Sequence, residues 1–289
     1  MSRPGPVTFF RESLKSESYQ SDEIINIYLL RPVAAAIVWL IEPMGITPNQ
    51  VTVSAILVGI ASGIVYALNT PFAVAAAGLL VTAKDVLDDA DGQLARAKGQ
   101  YSRRGRFLDS IGDFVADAVI FAGITLSVLH TEPGAVTVLL GVLSFAGITL
   151  RVSYHVYYQV SFLHLEDRYR MNRITEEITE EDRRGDPVAL RLQQVFLLLY
   201  GWQDRLMSSL DRWCLGKNPA AELLPVWYSD RFALRSSGMM GLGTELALLA
   251  VCSLLGRLDV YLFLNVFLMN GILLSNILYR KFFLARNLR

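Results

Sequence analysis

Seven aspartates fall between Asp85 and Asp117, in the stretch DVLDDADGQLARAKGQYSRRGRFLDSIGDFVAD. Asp88, Asp91 and Ala95 stand at i, i+3 and i+7, on one face of a helix; Gly105, Asp109 and Asp113 stand at i, i+4 and i+8, on one face of the next. Two antiparallel helices joined through 97–104 would gather the carboxylates of Asp88, Asp91, Asp109 and Asp113. Four unpaired carboxylates repel one another strongly in a low dielectric, so they need cations. All-oxygen ligation favours Mg²⁺ or Mn²⁺ over Zn²⁺. Two such ions could neutralise and orient a diphosphate and stabilise its leaving oxygen. Gly92 and Gly105 carry no side chain where a phosphate or a base would approach. Arg96, just over one turn past Asp91, has the reach to contact a phosphate oxygen.

The elements that must position these groups are membrane helices. The chain has 289 residues, 53% hydrophobic and 19% charged, and its apolar residues lie in long blocks. A bilayer core of about 30 Å needs roughly 20 apolar helical residues. Six blocks qualify as spans: 51–68, 71–83, 114–129, 134–150, 237–256 and 260–279. The second is short unless its helix continues past the membrane surface. Residues 25–44, with Arg31, Pro32 and Glu42, read as an amphipathic helix lying in the interface. The fold class is therefore all-α, polytopic, with a helical insertion between spans four and five. The corresponding segments are a polar N-terminus (1–24), the interfacial helix with spans one to four (25–165), the insertion (166–235), and spans five and six with a basic tail (236–289). Gly59 and Gly63 form a small-xxx-small pair suited to close helix packing.

Charge and cysteine content exclude several classes. With 27 basic and 27 acidic side chains, the chain has no broad electrostatic case for nucleic-acid binding. Two cysteines and three histidines make neither a disulfide scaffold nor a zinc or histidine metal cage. The N-terminus lacks an apolar h-region, so no cleavable signal peptide is expected. The turns after spans one, three and five hold a single Lys or Arg, whereas Arg103, Arg104, Arg106 and the tail lie on the other side. By the positive-inside rule, both termini and the acidic site face the cytoplasm of an inner cell membrane.

Within the insertion, 166–184 mixes both charge signs and reads as a solvated helix. From Val188 to Leu215, Leu192, Val195, Phe196, Leu199, Trp202, Leu206, Leu210 and Trp213 share a broad face. That face suits the membrane surface, a cover over the site, or a subunit contact.

Taken together, Asp88-x2-Asp91-Gly92-x2-Ala95-Arg96-x8-Gly105-x3-Asp109-x3-Asp113 resembles the signature of the CDP-alcohol phosphotransferases at every fixed position. Thr47-Pro48-Asn49-Gln50-Val51-Thr52 is similar to that family's lead-in to its first span. The resemblance covers 27–165 and 236–284; the insertion is longer than the loop it would replace. It implies that Asp88, Asp91 and Asp109 ligate metal, and that Asp113 completes the site and acts as general base. Gly92 and Ala95 would make room for the cytidine nucleotide, Arg96 would contact its diphosphate, and Asn49 would either join the pocket or cap the first span. The implied reaction transfers a phosphatidyl-type group from a CDP-lipid, CDP-diacylglycerol by expectation, to a small alcohol with release of CMP. A homodimer is implied as well. If the acceptor is phosphorylated, as inositol phosphate or glycerol phosphate is, Arg151 and Arg235 are the candidates for its phosphate. Asp85, Asp89 and Asp117 fall outside the signature; Asp117 lies one turn past Asp113 on the same face, and Glu245 lies within span five, lining a cavity or pairing with another helix. Rival readings are an intramembrane prenyltransferase, which would need a second acidic cluster on a distant helix, and a divalent-cation transporter, which would need acids deep along a path.

Overall fold

The computed structural model describes residues 23–165, 176–216 and 222–287. The expected N-terminal segment lies almost wholly outside these residues, as do the first part of the 166–184 stretch and Arg289. Among the described residues the structure is helical with no strand. The helices run α1 (Asn26–Met44), α2 (Pro48–Tyr66), α3 (Pro71–Lys98), α4 (Arg103–Thr131), α5 (Ala135–Leu165), α6 (Glu180–Arg184), α7 (Pro187–Leu215), α8 (Leu223–Ser229), α9 (Arg231–Gly238), α10 (Leu242–Leu254) and α11 (Leu258–Leu284). Six stretches are long and apolar enough to cross a membrane by length and composition: α1, α2, α4, α5, the run Leu223–Leu254, and α11. This is an integral, multi-pass membrane protein. The six differ from the expected set at two places. Asn26–Met44 qualifies, and α3 does not, because Lys84, Asp85 and Asp88 interrupt its apolar run.

Helix α3 continues past the apolar block that begins it, which is how it delivers its acids to the site. Thr70 caps its start, the side chain accepting from the Ala73 N–H at 3.1 Å. Gly99 ends it in the left-handed region (φ 63°), with the Gln100 N–H donating to the Ala95 carbonyl at 2.9 Å. The link to α4 is therefore only Gly99–Ser102, shorter than the expected loop. The Ser102 hydroxyl caps α4 by accepting from the Gly105 N–H at 3.0 Å.

Helices α2, α3 and α4 form the tightest part of the bundle. A Cβ at Gly59 would sit 2.8 Å from the Ala116 Cβ, and one at Gly63 would sit 2.8 Å from the Ile120 backbone nitrogen. The small-xxx-small pair is thus the seam on which α4 rests. Tyr66, Val81, Ile120, Phe121, Ile124, Leu246, Leu249 and Tyr261 fill the apolar core beside it. Helix α1 buries Leu30, Ala34 and Val38 against Val51, Val86, Ala90 and Leu94, while Tyr28, Val33 and Leu40 point outward.

The described part of the insertion is organised differently from expectation. Glu176 is not on a solvated helix: it is buried, precedes the single short turn α6, and accepts from Arg103 (2.6 Å), Gln193 (2.9 Å) and Arg106. The broad apolar stripe of α7 is divided: Val195, Trp202, Leu206 and Trp213 are exposed, whereas Phe196 packs on Phe107 and Leu210 packs into the core, and Gln193, Gln203 and Asp211 are buried on the same helix. Asp211 accounts for the burial of polar groups on this helix. Its carboxylate accepts from the Tyr158 hydroxyl (2.9 Å), the Trp227 indole (2.8 Å) and the Tyr228 hydroxyl (2.8 Å), anchoring α7 to α5 and α8. Buried carboxylates held by several donors fix a single docking geometry.

Candidate metal centre and adjoining cavity

Helical spacing sets acids of α3 and α4 face to face, and the structure brings three together. Asp88, Asp91 and Asp109 each offer an oxygen within 4.8 Å of the others. Asp91 is buried and accepts a hydrogen bond from the Thr52 hydroxyl of α2. That hydroxyl also reaches the Pro48 carbonyl, 3.2 Å away. Three carboxylates on rigid helices at this separation could hold a hard divalent cation with oxygen ligands.

Asp113 falls outside that compact group. Its Oδ1 lies 2.6 Å from the Lys84 ammonium, whose side chain is fully buried on α3 one turn before Asp88. Asp113 also lines a cavity of about 310 Å³ between α4, α5 and α7. Ser110, Phe114 and Asp117 share its α4 wall, Thr149, Ser153 and Tyr157 its α5 wall, and Phe196, Tyr200 and Asp204 its α7 wall. The Tyr200 hydroxyl donates to the Ser110 carbonyl at 2.9 Å, and Phe114 meets Tyr200 edge-on at 6.0 Å. The outer end is clamped by arginines at the start of α4: Arg103 and Arg106 hold Glu176, Arg103 also bonds Asp182, and Arg104 bonds Asp186. These arginines therefore fasten the insertion across the site, in addition to any topological role. Burial pushes the Asp204 carboxyl up to about 6, with Glu176 adding to the rise.

The remaining sequence candidates divide cleanly. Gly92, Ala95 and Arg96 follow Asp91 on α3, and the Arg96 guanidinium lies over Gly92, 3.6 Å from where a Cβ would be. Asn49 at the start of α2 meets the start of α4: a Cβ on Gly105 would stand 2.8 Å from the Asn49 Oδ1. Capping of α2 belongs to Thr47, which forms a reciprocal capping box with Gln50, so Asn49 does not cap it.

Arg151 and Arg235 are not among the residues lining the cavity. Arg151 is fully buried and bonds Glu245 at 3.0 Å, the Asn270 side chain at 2.7 Å and the Asn265 carbonyl at 3.2 Å. Arg235 is exposed on α9. Sequence spacing alone does not single out Lys84, Thr52 or the α7 residues. Lys84 does carry a signal: at i−4 from Asp88 it continues the acidic face, where a cation inside an apolar helix needs a reason.

A family model described as CDP-alcohol phosphatidyltransferase matches residues 45–215, more than half of the chain. The chain belongs to that family. The match runs through the described part of the insertion as far as the end of α7 and so includes the cavity wall. Among curated proteins, the chain is similar to archaetidylinositol phosphate synthase of Pyrococcus horikoshii, 40% identical over 83 residues, which are 29% of this chain and 43% of that protein. It is also similar to the bifunctional IPC transferase and DIPP synthases of Thermococcus kodakarensis (36% over 88 residues; 30% of this chain, 19% of that protein) and Archaeoglobus fulgidus (36% over 96 residues; 33% and 19%). The chain spans less than half the length of the curated relatives it matches.

Proposed function

We propose that this protein is a metal-dependent transferase that moves a phosphatidyl-type group from a CDP-lipid to a small alcohol and releases CMP. The observation that carries this reading is the grouping of the Asp88, Asp91 and Asp109 oxygens, with Asp113 one turn beyond Asp109 lining a cavity of alcohol size. Two Mg²⁺ or Mn²⁺ ions on the three carboxylates would neutralise the diphosphate and the leaving oxygen. Arg96 adds a guanidinium to the diphosphate, and Gly92 and Ala95 leave room for the nucleotide. Family membership and the names of the relatives point the same way.

In the cavity, Asp113 accepts the proton of the acceptor hydroxyl as its oxygen attacks the lipid-linked phosphorus. The bond from that phosphorus to the CMP oxygen breaks, and CMP leaves. A hydroxyl is a weak nucleophile at neutral pH, so a carboxylate within hydrogen-bond reach accelerates the attack. The α7 wall determines which alcohol fits, and with Asp204 as its charged group, phosphorylated acceptors gain no phosphate contact from Arg151 or Arg235. The site faces the cytoplasm by the distribution of basic residues, where a lipid donor meets a water-soluble acceptor.

The test is CMP release by purified protein with CDP-diacylglycerol and Mg²⁺ or Mn²⁺ across a panel of alcohols, with Asp113→Asn in parallel. Release with one alcohol, lost in the variant, is expected. An Asp113→Asn protein as active as wild type would remove the base assignment.

A further inference from the structure

Lys84 is a cation buried among the acids, and neither the signature nor the transferase reading uses it. Its ammonium sits 2.6 Å from Asp113 and 4.0 Å from the buried Asp85, with no solvent exposure of the side chain. Room for its stem is made by Gly59 of α2, where a Cβ would stand 3.3 Å from the Lys84 Cγ. One oxygen of Asp117, on the cavity wall one turn beyond Asp113, is buried without a hydrogen-bond partner. Burying an ammonium in a membrane helix is costly, and a pair kept only for packing is often replaceable by apolar residues without loss.

We propose that Lys84 is a positioning residue: it holds Asp113 between the metal carboxylates and the cavity, and supplies the positive charge that keeps divalent cations on the Asp88–Asp91–Asp109 side. The carboxylates on the Lys84 side then have a fixed internal counter-ion, and those on the other side take the exchangeable ones. This rests on the transferase reading only for its catalytic consequence; the claim about metal binding stands on the geometry.

The sign of the metal effect separates this role from a structural one. Removing a positive charge beside the carboxylates tightens divalent binding, whereas loosening the helix packing weakens it. Full-length protein in detergent, titrated with Mn²⁺ by electron paramagnetic resonance, is expected to bind Mn²⁺ at least about 10-fold more tightly, or to take an additional ion, in Lys84→Met and in Lys84→Gln. The same variants should lose at least about 100-fold in kcat with a donor KM within about twofold of wild type. In an Asp113→Asn background, Lys84→Gln should cause little further loss of turnover, because the two residues act as one unit. Unchanged or weaker Mn²⁺ binding in folded variants would overturn the proposal. Loss of folding in both single variants would also overturn it, making Lys84 a structural counter-ion. Wild-type protein that binds Mn²⁺ but releases no CMP would fail the transferase reading, while the Mn²⁺ titration of the variants would still decide the role of Lys84.

Discussion

Two buried charge clusters in this molecule differ in balance. On one side of the bundle, Arg151 pairs with Glu245, and Asn265, Asn270 and Tyr261 complete the contacts across α5, α10 and α11. That cluster is neutral, although the Arg151 Nε and the Asn265 Oδ1 are buried in it without a hydrogen-bond partner. On the other side, Lys84 faces Asp113 and Asp85, with Asp88, Asp91 and Asp109 grouped nearby and Asp117 one turn beyond Asp113; Lys84 is the one fully buried cation of this group among the described residues. That cluster is open and lacks positive charge. A neutral, hydrogen-bonded network fixes helix positions and needs nothing from outside. An uncompensated one raises its own energy and recovers it on binding cations, which is how a binding site differs from a structural polar core.

Substitutions should act in opposite directions on the two clusters. The largest effect is expected in the open one: Asp109→Asn should reduce CMP release on the order of 1,000-fold. The same change should raise the melting temperature in EDTA, because one repelling carboxylate is gone. Loss of activity with a lowered melting temperature would make Asp109 structural and erase the contrast.

In the neutral cluster, Arg151→Ala leaves Glu245 buried without its cation and should destabilise the protein by about 3–5 kcal/mol. Turnover per folded molecule should stay within about threefold of wild type, since Arg151 touches neither the cavity nor the carboxylates. Denaturant unfolding and specific activity on the same sample check both halves. A rise in acceptor KM alone would return Arg151 to the substrate site.

Asp204→Asn sharpens the boundary between site and scaffold. As the charged group of the α7 wall, it should change the acceptor KM by about 10-fold with the donor KM unchanged. Equal changes in both would take α7 out of acceptor selection.

The smallest effect is one of pH. The Asp204 carboxyl titrates at about 6 in the fold, above its ordinary value, because burial disfavours the charge. Its stabilising contribution is complete below about pH 4 and is lost as the pH rises through about 6. With its partial exposure this amounts to roughly 1 kcal/mol. Asp204→Asn should flatten that part of the stability curve, and an unchanged curve would show that Asp204 does not titrate there.

Much of the open cluster was legible in the sequence because i, i+3 and i+4 spacing on two adjacent helices fixes which carboxylates meet. The short apolar block 71–83 likewise announced a helix continuing beyond the membrane surface. What sequence spacing could not supply was long-range pairing. Arg151 looked available because it ends an apolar block, but its partner Glu245 lies 94 positions away on another helix. The apolar stripe of α7 left three uses open, and it gave no sign that Asp211, with donors on α5 and α8, would be buried along with Gln193 and Gln203. Arg103 and Arg104 looked like topology signals, and their acidic partners sit more than 70 positions downstream. Each of these is a polar contact between separate segments, which hydrophobic periodicity does not encode.

The most direct test of the imbalance is a Mn²⁺ titration of EDTA-treated protein, following melting temperature and CMP release on one sample. Both should rise together with the same apparent Kd, because the ions that relieve the carboxylate repulsion are the ions that serve the reaction. CMP release at full rate in EDTA, or a melting temperature indifferent to Mn²⁺, would contradict it.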